Sequence, residues 1–266
     1  MVAVSSDDLL DINLSHYERL YEDPFERYSF EVRSKTQIFE SLQCQTKETL
    51  RGKKVLDIGF GSGDILLMAS GKGAECYGVE IVEAAMAKLK KIYPAAHIFK
   101  SRASLLPLKS DFFDIIVCSH VLEHENNEKE ALREMVRVLK PSGKIFLGVP
   151  AEAVGETELH ARLYDLAAIK CLADTFGLEI IRSQVYGSWN FQIICYAISF
   201  VAVRASNHNG KKIEPDKHDV PRYSLVRRLY HGIIVPFLLF LYGLDAVLPI
   251  GKARPIEIWA ILRKKI

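Results

Sequence analysis

Residues 57–64 read DIGFGSGD, and this stretch decides the interpretation of the whole chain. It follows a short apolar segment that starts at Lys54 and precedes a second apolar segment that starts at Ile65. Glycines at such a place let the backbone turn tightly and approach a ligand closely. Glu80 comes at the end of the next predicted strand, where a carboxylate can accept both hydroxyl groups of a ribose. The pattern predicts a strand–loop–helix unit that binds a nucleoside.

The acids of this loop argue against a dinucleotide ligand. The dinucleotide pattern GxGxxG needs a glycine at position 64, where Asp64 stands. A carboxylate at the start of a helix would also repel a pyrophosphate. Asp57 adds a second negative charge, so a ligand with a sulfonium and an ammonium group suits the loop better than a nicotinamide dinucleotide. A dinucleotide-dependent oxidoreductase and a tight turn without a ligand are the alternatives.

Predicted strands and helices alternate along most of the chain. Strands are predicted at residues 54–58, 76–80, 97–100, 113–119, 144–149, 178–185 and 256–263. Helices are predicted from residue 65 and at residues 83–92, 126–139 and 163–176. Segment 113–119 is almost wholly apolar, which is typical of a parallel strand buried on both faces. Repeated strand–helix units predict a parallel sheet covered by helices.

Five segments in this order resemble the class I S-adenosylmethionine-dependent methyltransferases, especially their small-molecule branch, type 11. They are residues 55–63, 78–81, 106–108 with 112–114, 119–124 and 137–144. The resemblance implies an α/β fold with a Rossmann-like seven-stranded methyltransferase sheet, helices on both faces, an antiparallel last strand and a hydrophobic helical insertion before it. The implied domains are an N-terminal helical lid at 1–50, the S-adenosylmethionine-binding core at 51–187, an apolar and basic insertion at 188–254 and the last core strand at 255–266.

The resemblance also implies the cofactor, S-adenosylmethionine, and its product S-adenosylhomocysteine. The residues expected to bind it are Asp57, Gly59, Phe60, Gly61, Gly63, Glu80, Ile81, Arg102, Ala103 and Ser119. The family often has an acid at the adenine amino group, four residues before its Leu-Pro pair, and this chain has Arg102 there. We therefore expect adenine to contact the backbone around Arg102 and Ala103, or the guanidinium group to stack on the ring.

His120, Glu123 and His124 form the pattern HxxEH, which some zinc peptidases use. Here the pattern follows a buried strand and no convincing third ligand accompanies it, so we predict no metal site. We expect His124 to brace the loop before the next helix. His120 lies closer to the ligand-binding edge of the sheet and is the candidate catalytic residue, as a general base, or else it lines the cofactor.

The charge of the chain is unevenly distributed. Residues 1–203 carry 23 basic against 28 acidic side chains, and residues 204–266 carry 12 basic against 5 acidic ones. The basic part contains the uncharged run 229–244, which is shorter than the roughly 20 residues of a membrane-spanning helix. This run and the apolar segment 189–203 predict docking on an anionic membrane surface or a lipid-binding cavity, with core packing or a dimer contact as the alternative.

Residues 1–50 have a helical pattern that is rich in aromatic side chains. Tyr17, Tyr21, Phe25, Tyr28 and Phe30 are expected to form part of a lid over the acceptor pocket, with simple packing as the alternative.

Together these features predict an enzyme that methylates an apolar or lipid-linked small molecule by in-line transfer, at an oxygen, nitrogen or carbon atom. The alternative is a non-catalytic module that binds S-adenosylmethionine or a partner protein. No nucleic-acid partner is expected, and any oligomeric state is compatible with the sequence. Five scattered cysteines without a CxxC pair, and no apolar leader, predict a cytoplasmic location. The basic, apolar part of the chain adds the expectation of a peripheral position at the inner membrane face.

Overall fold

The computed structural model describes residues 30–151, 162–186 and 257–265, together with residues 14, 15, 17, 18, 233, 236, 237, 239 and 240. The predicted insertion at 188–254 and most of the predicted lid at 1–50 lie outside the described residues. Within the described ranges the chain alternates between strands and helices, as the sequence predicts.

The described helices are α1 (Phe30–Gln45), α2 (Asp64–Gly71), α3 (Glu83–Ile92), α4 (Glu128–Val138) and α5 (Leu166–Thr175). The strands are β1 (Lys54–Ile58), β2 (Glu75–Glu80), β3 (His97–Lys100), β4 (Phe113–Ser119), β5 (Leu139–Pro150), β6 (Leu178–Tyr186) and β7 (Glu257–Lys264). A 3-10 turn, Leu122–His124, follows β4.

The seven strands form one sheet in the order β3-β2-β1-β4-β5-β7-β6. β7 pairs antiparallel with both β5 and β6, and the other pairs are parallel, which confirms the predicted fold. The strand order reverses between β1 and β4, and ligands of such sheets bind at this switch point, outside the carboxyl ends of the strands. Because β7 runs the other way, its first residue, Glu257, reaches this same edge beside Pro150 and Tyr186.

Apolar side chains cover both faces of the central strands. Leu56 of β1 packs on the face covered by α4 and α5, while Val55 packs on the face covered by α1 and α2. The alternation repeats along β4, whose Ile115 and Ile116 point to opposite faces and are both fully buried. Burial on both faces explains why these strands have continuous apolar sequences. The sheet is therefore a rigid base on which the loops at its carboxyl edge are positioned.

Three predicted element starts differ from the structure by two residues or more, and the others agree to within one residue. α4 begins at Glu128, since the Asn127 side chain accepts a hydrogen bond from the Glu130 N–H and caps the helix. α5 begins at Leu166, since Asp165 caps it in the same way. β5 begins at Leu139 rather than at 144, with an irregularity where the register against β4 shifts.

Candidate active site

The loop after β1 surrounds the carboxylate of Glu80, at the end of β2. The Gly61 N–H donates to Glu80 Oε2 at 2.9 Å, and the N–H groups of Ile81 and Val82 donate to Oε1 at 2.7 and 3.1 Å. Burial raises the pKa of Glu80, although these three donors lower it in part. Two carboxylate oxygens can accept about four hydrogen bonds, so Glu80 keeps capacity for about one ligand hydroxyl group.

Two turns of this loop require glycine. Gly59 has φ +67° and a Cβ there would collide with the Val121 side chain. Gly63 has φ +79° and a Cβ there would collide with Leu89 of α3. Left-handed backbone is strained for other residues, so both positions keep the loop tight against its neighbours.

Asp57 ends β1 beneath the loop and is 2% exposed. Burial and the charge of Glu80 raise the pKa of Asp57 well above its ordinary value, and Lys35 of α1 lowers it in part. A buried carboxylate next to a second carboxylate gains stability when a cation binds beside it. The pair therefore fits a positively charged ligand group.

An open cleft of about 400 Å³ lies at this loop. It is lined by Lys35, Thr36, Asp57, Gly59, Phe60, Gly61, Ser62, Asp64, Ile65 and Ser119. Ser119 is 9% exposed, and within the described part of the chain its hydroxyl has no hydrogen-bond partner. Buried hydroxyl groups are usually paired, so an unpaired one beside a cleft indicates a ligand contact.

The predicted cofactor residues form three groups, two at the cleft and one at the loop after β3. Asp57, Gly59, Phe60, Gly61 and Ser119 line the cleft. Gly63, Glu80 and Ile81 support the cleft loop from behind. Lys35 and Thr36 were not predicted, because a lysine in a largely polar helix carries no signal of its own.

Arg102 and Ala103, the third group, lie at the carboxylate of Glu125. The Ala103 N–H donates to Glu125 Oε1, and Arg102 Nη2 lies near Oε2, both at 3.2 Å. Glu125 is buried, so this ion pair fixes the loop after β3. The Ala103 N–H that was expected to contact adenine thus already has an acceptor within the protein.

The HxxEH residues form a buried ion cluster. His120 Nδ1 lies 3.2 Å from Glu123 Oε1, and His120 Nε2 lies 2.8 Å from Glu257 Oε2. The Trp259 indole N–H donates to the same Glu257 oxygen at 3.1 Å. Burial and Lys35 lower the pKa of His120, but the bonds to Glu123 and Glu257 outweigh them and raise this pKa to about 9.

Glu257 was not among the predicted site residues, although its sequence context offers a signal. It is an acid at the head of the apolar strand 257–262, and the head of an antiparallel last strand lies at the ligand-binding edge. Among the described residues, no group of three His, Cys, Asp or Glu side chains is arranged to hold a metal ion.

Two side chains from the N-terminal segment bridge the loops beside the cleft. The Tyr17 hydroxyl lies 3.1 Å from His124 Nε2, and the two rings meet edge to face. The Glu18 carboxylate accepts from the N–H groups of Glu83 and Ala84, at 2.9 and 3.3 Å. Glu18 therefore caps α3, which follows Glu80, while Tyr17 holds the turn after β4.

Comparison with known proteins agrees with this geometry. The family described as "Methyltransferase domain" matches residues 56–147. The chain is 36% identical over 111 residues to the methyltransferase YcgJ of Bacillus subtilis, covering 40% of this chain and 44% of that protein. It is 32% identical over 120 residues to the ubiquinone/menaquinone biosynthesis C-methyltransferase of Pectobacterium atrosepticum, covering 41% and 47%. The chain thus spans less than half the length of these relatives.

Solved structures support the fold over a longer stretch. A structure assigned to a sarcosine dimethylglycine methyltransferase of Galdieria sulphuraria superposes with a TM-score of 0.60 at 14% identity, covering 88% of this chain and 87% of that chain. The fold, the loop around Glu80 and the match over residues 56–147 lead to one conclusion. Residues 56–147 of this chain match a methyltransferase domain, in a fold that a solved methyltransferase structure shares.

Proposed function

We propose that this protein transfers the methyl group of S-adenosylmethionine to an apolar or lipid-linked small molecule. The observation that carries the proposal is the buried carboxylate pair of Asp57 and Glu80 at an open cleft of a methyltransferase domain. When bound, the cofactor supplies an electrophilic methyl group on its sulfonium. The protein's contribution is then alignment of the reactants and exclusion of water.

Each described group at the cleft has a role that its chemistry supports. Asp57 binds the ammonium group of the cofactor, and Lys35 binds its carboxylate, because an amino acid zwitterion needs one partner of each sign. Glu80 accepts a ribose hydroxyl group with the lone pair that its three backbone donors leave open. The Ser119 hydroxyl contacts the cofactor near the reacting centre.

In this proposal the lid is the segment before α1 that carries Tyr17 and Glu18, because α1 itself packs in the core. The contacts of Tyr17 with His124 and of Glu18 with the start of α3 support it, because they join two loops that flank the nucleoside site. A lid held by two such contacts excludes water while the methyl group moves.

An apolar acceptor is supported by side chains of the predicted insertion. Ile233, Phe237 and Phe240 are 63%, 53% and 61% exposed, at spacings that place them on one helical face. Basic residues flank them in the sequence, namely Arg222, Arg227, Arg228, Lys252 and Arg254. Because an exposed apolar face with basic flanks suits an anionic membrane surface, we propose docking there. None of the helices described is long and apolar enough to cross a bilayer. One relative is named as a C-methyltransferase of ubiquinone and menaquinone biosynthesis, which supports a lipid-like acceptor here.

Calorimetry with S-adenosylhomocysteine tests the cofactor, and transfer of labelled methyl to a membrane extract tests the activity. We expect a binding heat with S-adenosylhomocysteine and none with NAD, followed by label in the lipid fraction. Binding without transfer would support the non-catalytic alternative. Absence of heat with both ligands would exclude the proposal.

Sedimentation with liposomes tests the membrane part. We expect binding to vesicles that contain phosphatidylglycerol, weakening as salt rises, and a loss of at least tenfold in a Phe237→Ser, Phe240→Ser double variant. Leu105→Ser is the matched control, because Leu105 is also an exposed apolar side chain (74%) but lies outside this face. Equal loss in the control, or no binding by the unmodified protein, would contradict membrane docking.

A further inference from the structure

We infer that His120 is a positioning residue for methyl transfer, held as a cation between Glu123 and Glu257, and that it is not the base that deprotonates the acceptor. The role of His120 in methyl transfer rests on the proposed function. The charge of its ring and its contacts with Glu123 and Glu257 do not.

Both ring nitrogens of His120 face carboxylates, on opposite sides of the ring. Nδ1 lies 3.2 Å from Glu123, which is fully buried in the turn after β4. Nε2 lies 2.8 Å from Glu257, whose oxygen is also fixed by Trp259. Nε2 makes a hydrogen bond to Glu257 and Nδ1 is at ion-pair distance from Glu123, so the two carboxylates favour a ring that is protonated on both nitrogens. Neither nitrogen is then open to take a proton from an acceptor.

The backbone also indicates a fixed position. His120 has φ +55°, a left-handed conformation that is uncommon outside glycine. Its N–H donates to the Gly148 carbonyl at 2.9 Å, so β5 anchors the same residue. A strained residue persists only where its surroundings impose it, and such residues cluster at functional sites. The adjacent residue is Ser119, which lines the cleft and whose hydroxyl has no partner among the residues that the structure describes.

The charged and titratable groups around His120 come from three directions. Lys35 of α1 disfavours the protonated ring, as burial does. Glu123 and Glu257 favour it, and each has a further neighbour. His124 lies 3.9 Å from Glu123, and Tyr186 has a pKa that is raised by burial and, to a smaller extent, by the charge of Glu257. Two carboxylates outweigh one lysine, and the ring remains charged at neutral pH.

A charged His120 changes the chemistry expected of the acceptor. With an anionic oxygen acceptor, the S–CH3 bond breaks, an O–CH3 bond forms and the electron pair returns to sulfur, with no proton transfer. A neutral alcohol would have to lose a proton, and an imidazolium cannot accept it. His120 and its carboxylates then hold the wall of the cleft next to Ser119 while these bonds change.

Nitrogen NMR of the full chain labelled at histidine tests the charge state. Signals of His120 are assigned by their loss in His120→Gln. We expect both ring nitrogens to stay protonated from pH 6 to pH 8, and the titration midpoint to fall by at least one pH unit in Glu257→Gln. Glu179→Gln is the control, since Glu179 is an exposed acid on neighbouring β6 and should leave the midpoint unchanged. A neutral His120 ring at pH 7 in the unmodified protein would overturn the inference.

Transfer of labelled methyl separates positioning from proton removal. We expect His120→Arg, which restores a cation that cannot act as a base, to keep at least tenfold more transfer than His120→Gln. Equal loss in both folded variants would favour a base. The proposed function fails separately, through absent binding of S-adenosylhomocysteine, whereas the NMR result requires no ligand.

Discussion

The two pairs of buried acids at the carboxyl edge of the sheet differ in what balances their charge. Asp57 and Glu80 lie together, and burial raises the pKa of each. Burial also raises the pKa of Glu123, but its bond to His120 outweighs this and lowers it. Glu257 bonds to the same ring. Asp57 has Lys35 nearby, but this lysine offsets the effect of burial only in part, so the first pair is suited to bind a cationic ligand. The second pair has the His120 ring between its carboxylates and is suited to hold structure.

Glu257→Gln should give the largest change in stability, because it removes one of the two carboxylates that contact His120. Removing one partner of a buried ion pair leaves the other charge with less compensation, which costs about 3 kcal/mol. At this chain length that corresponds to a melting temperature lower by about 10 °C. Thermal unfolding at pH 7 measures it.

The control for this change is Glu179→Gln. Glu179 pairs with Arg263 at 2.6 Å, but both side chains are more than one third exposed. Exposed ion pairs contribute less than about 1 kcal/mol. Equal destabilisation by the two substitutions would mean that the contacts of Glu257 contribute no more to stability than an exposed ion pair does.

Asp57→Asn should have the opposite effect on stability. It removes a buried charge next to Glu80, so the ligand-free protein should melt at a higher temperature. The affinity for S-adenosylhomocysteine should fall by about 100-fold, or about 2.7 kcal/mol, because the ammonium group loses its carboxylate. Calorimetry and thermal unfolding on the same sample measure both effects.

Asp114→Asn is the comparison for that experiment. Asp114 lies at the start of β4, bonded to Lys140, at the opposite end of the strand from the cleft. It should lower stability without changing affinity. Unchanged affinity in Asp57→Asn would remove Asp57 from the cofactor site.

The contrast also explains what could be predicted from sequence. Asp57, the glycines and Glu80 lie within 24 residues, so one continuous pattern shows them, and the parallel sheet follows from the same repeat. The partner of His120 is 137 residues away, and only the insertion of β7 between β5 and β6 brings it close. The contact between Arg102 and Glu125 was equally hidden in the sequence. Arg102 departs from the family pattern, but its partner Glu125 lies on another loop.

The pH dependence of stability should sharpen the assignment of His120. Its pKa is about 9 in the folded protein against about 6.5 when unfolded, so its contribution is complete below pH 6.5 and is lost as pH rises through 9. The unmodified protein should therefore lose about 2 kcal/mol more than His120→Gln between pH 6.5 and pH 8.5. Urea unfolding at several pH values measures the difference. Parallel pH profiles would mean that His120 has the same pKa in both states.

The smallest expected effect concerns the proposed lid over Asp57 and Glu80. Tyr17→Phe removes the hydroxyl that meets His124 and keeps the ring contact, so it should cost about 1 kcal/mol of lid closure. Dissociation of S-adenosylhomocysteine should become about fivefold faster, as measured by stopped flow, while the melting temperature of the ligand-free protein changes little. Tyr77→Phe is the control, because the Tyr77 hydroxyl bonds to Glu75 on the same strand, away from the cleft. A dissociation rate equal to that of the control would mean that residues 17 and 18 brace the loops without closing over the ligand. The pocket of Asp57 and Glu80 would then retain the cofactor by charge alone.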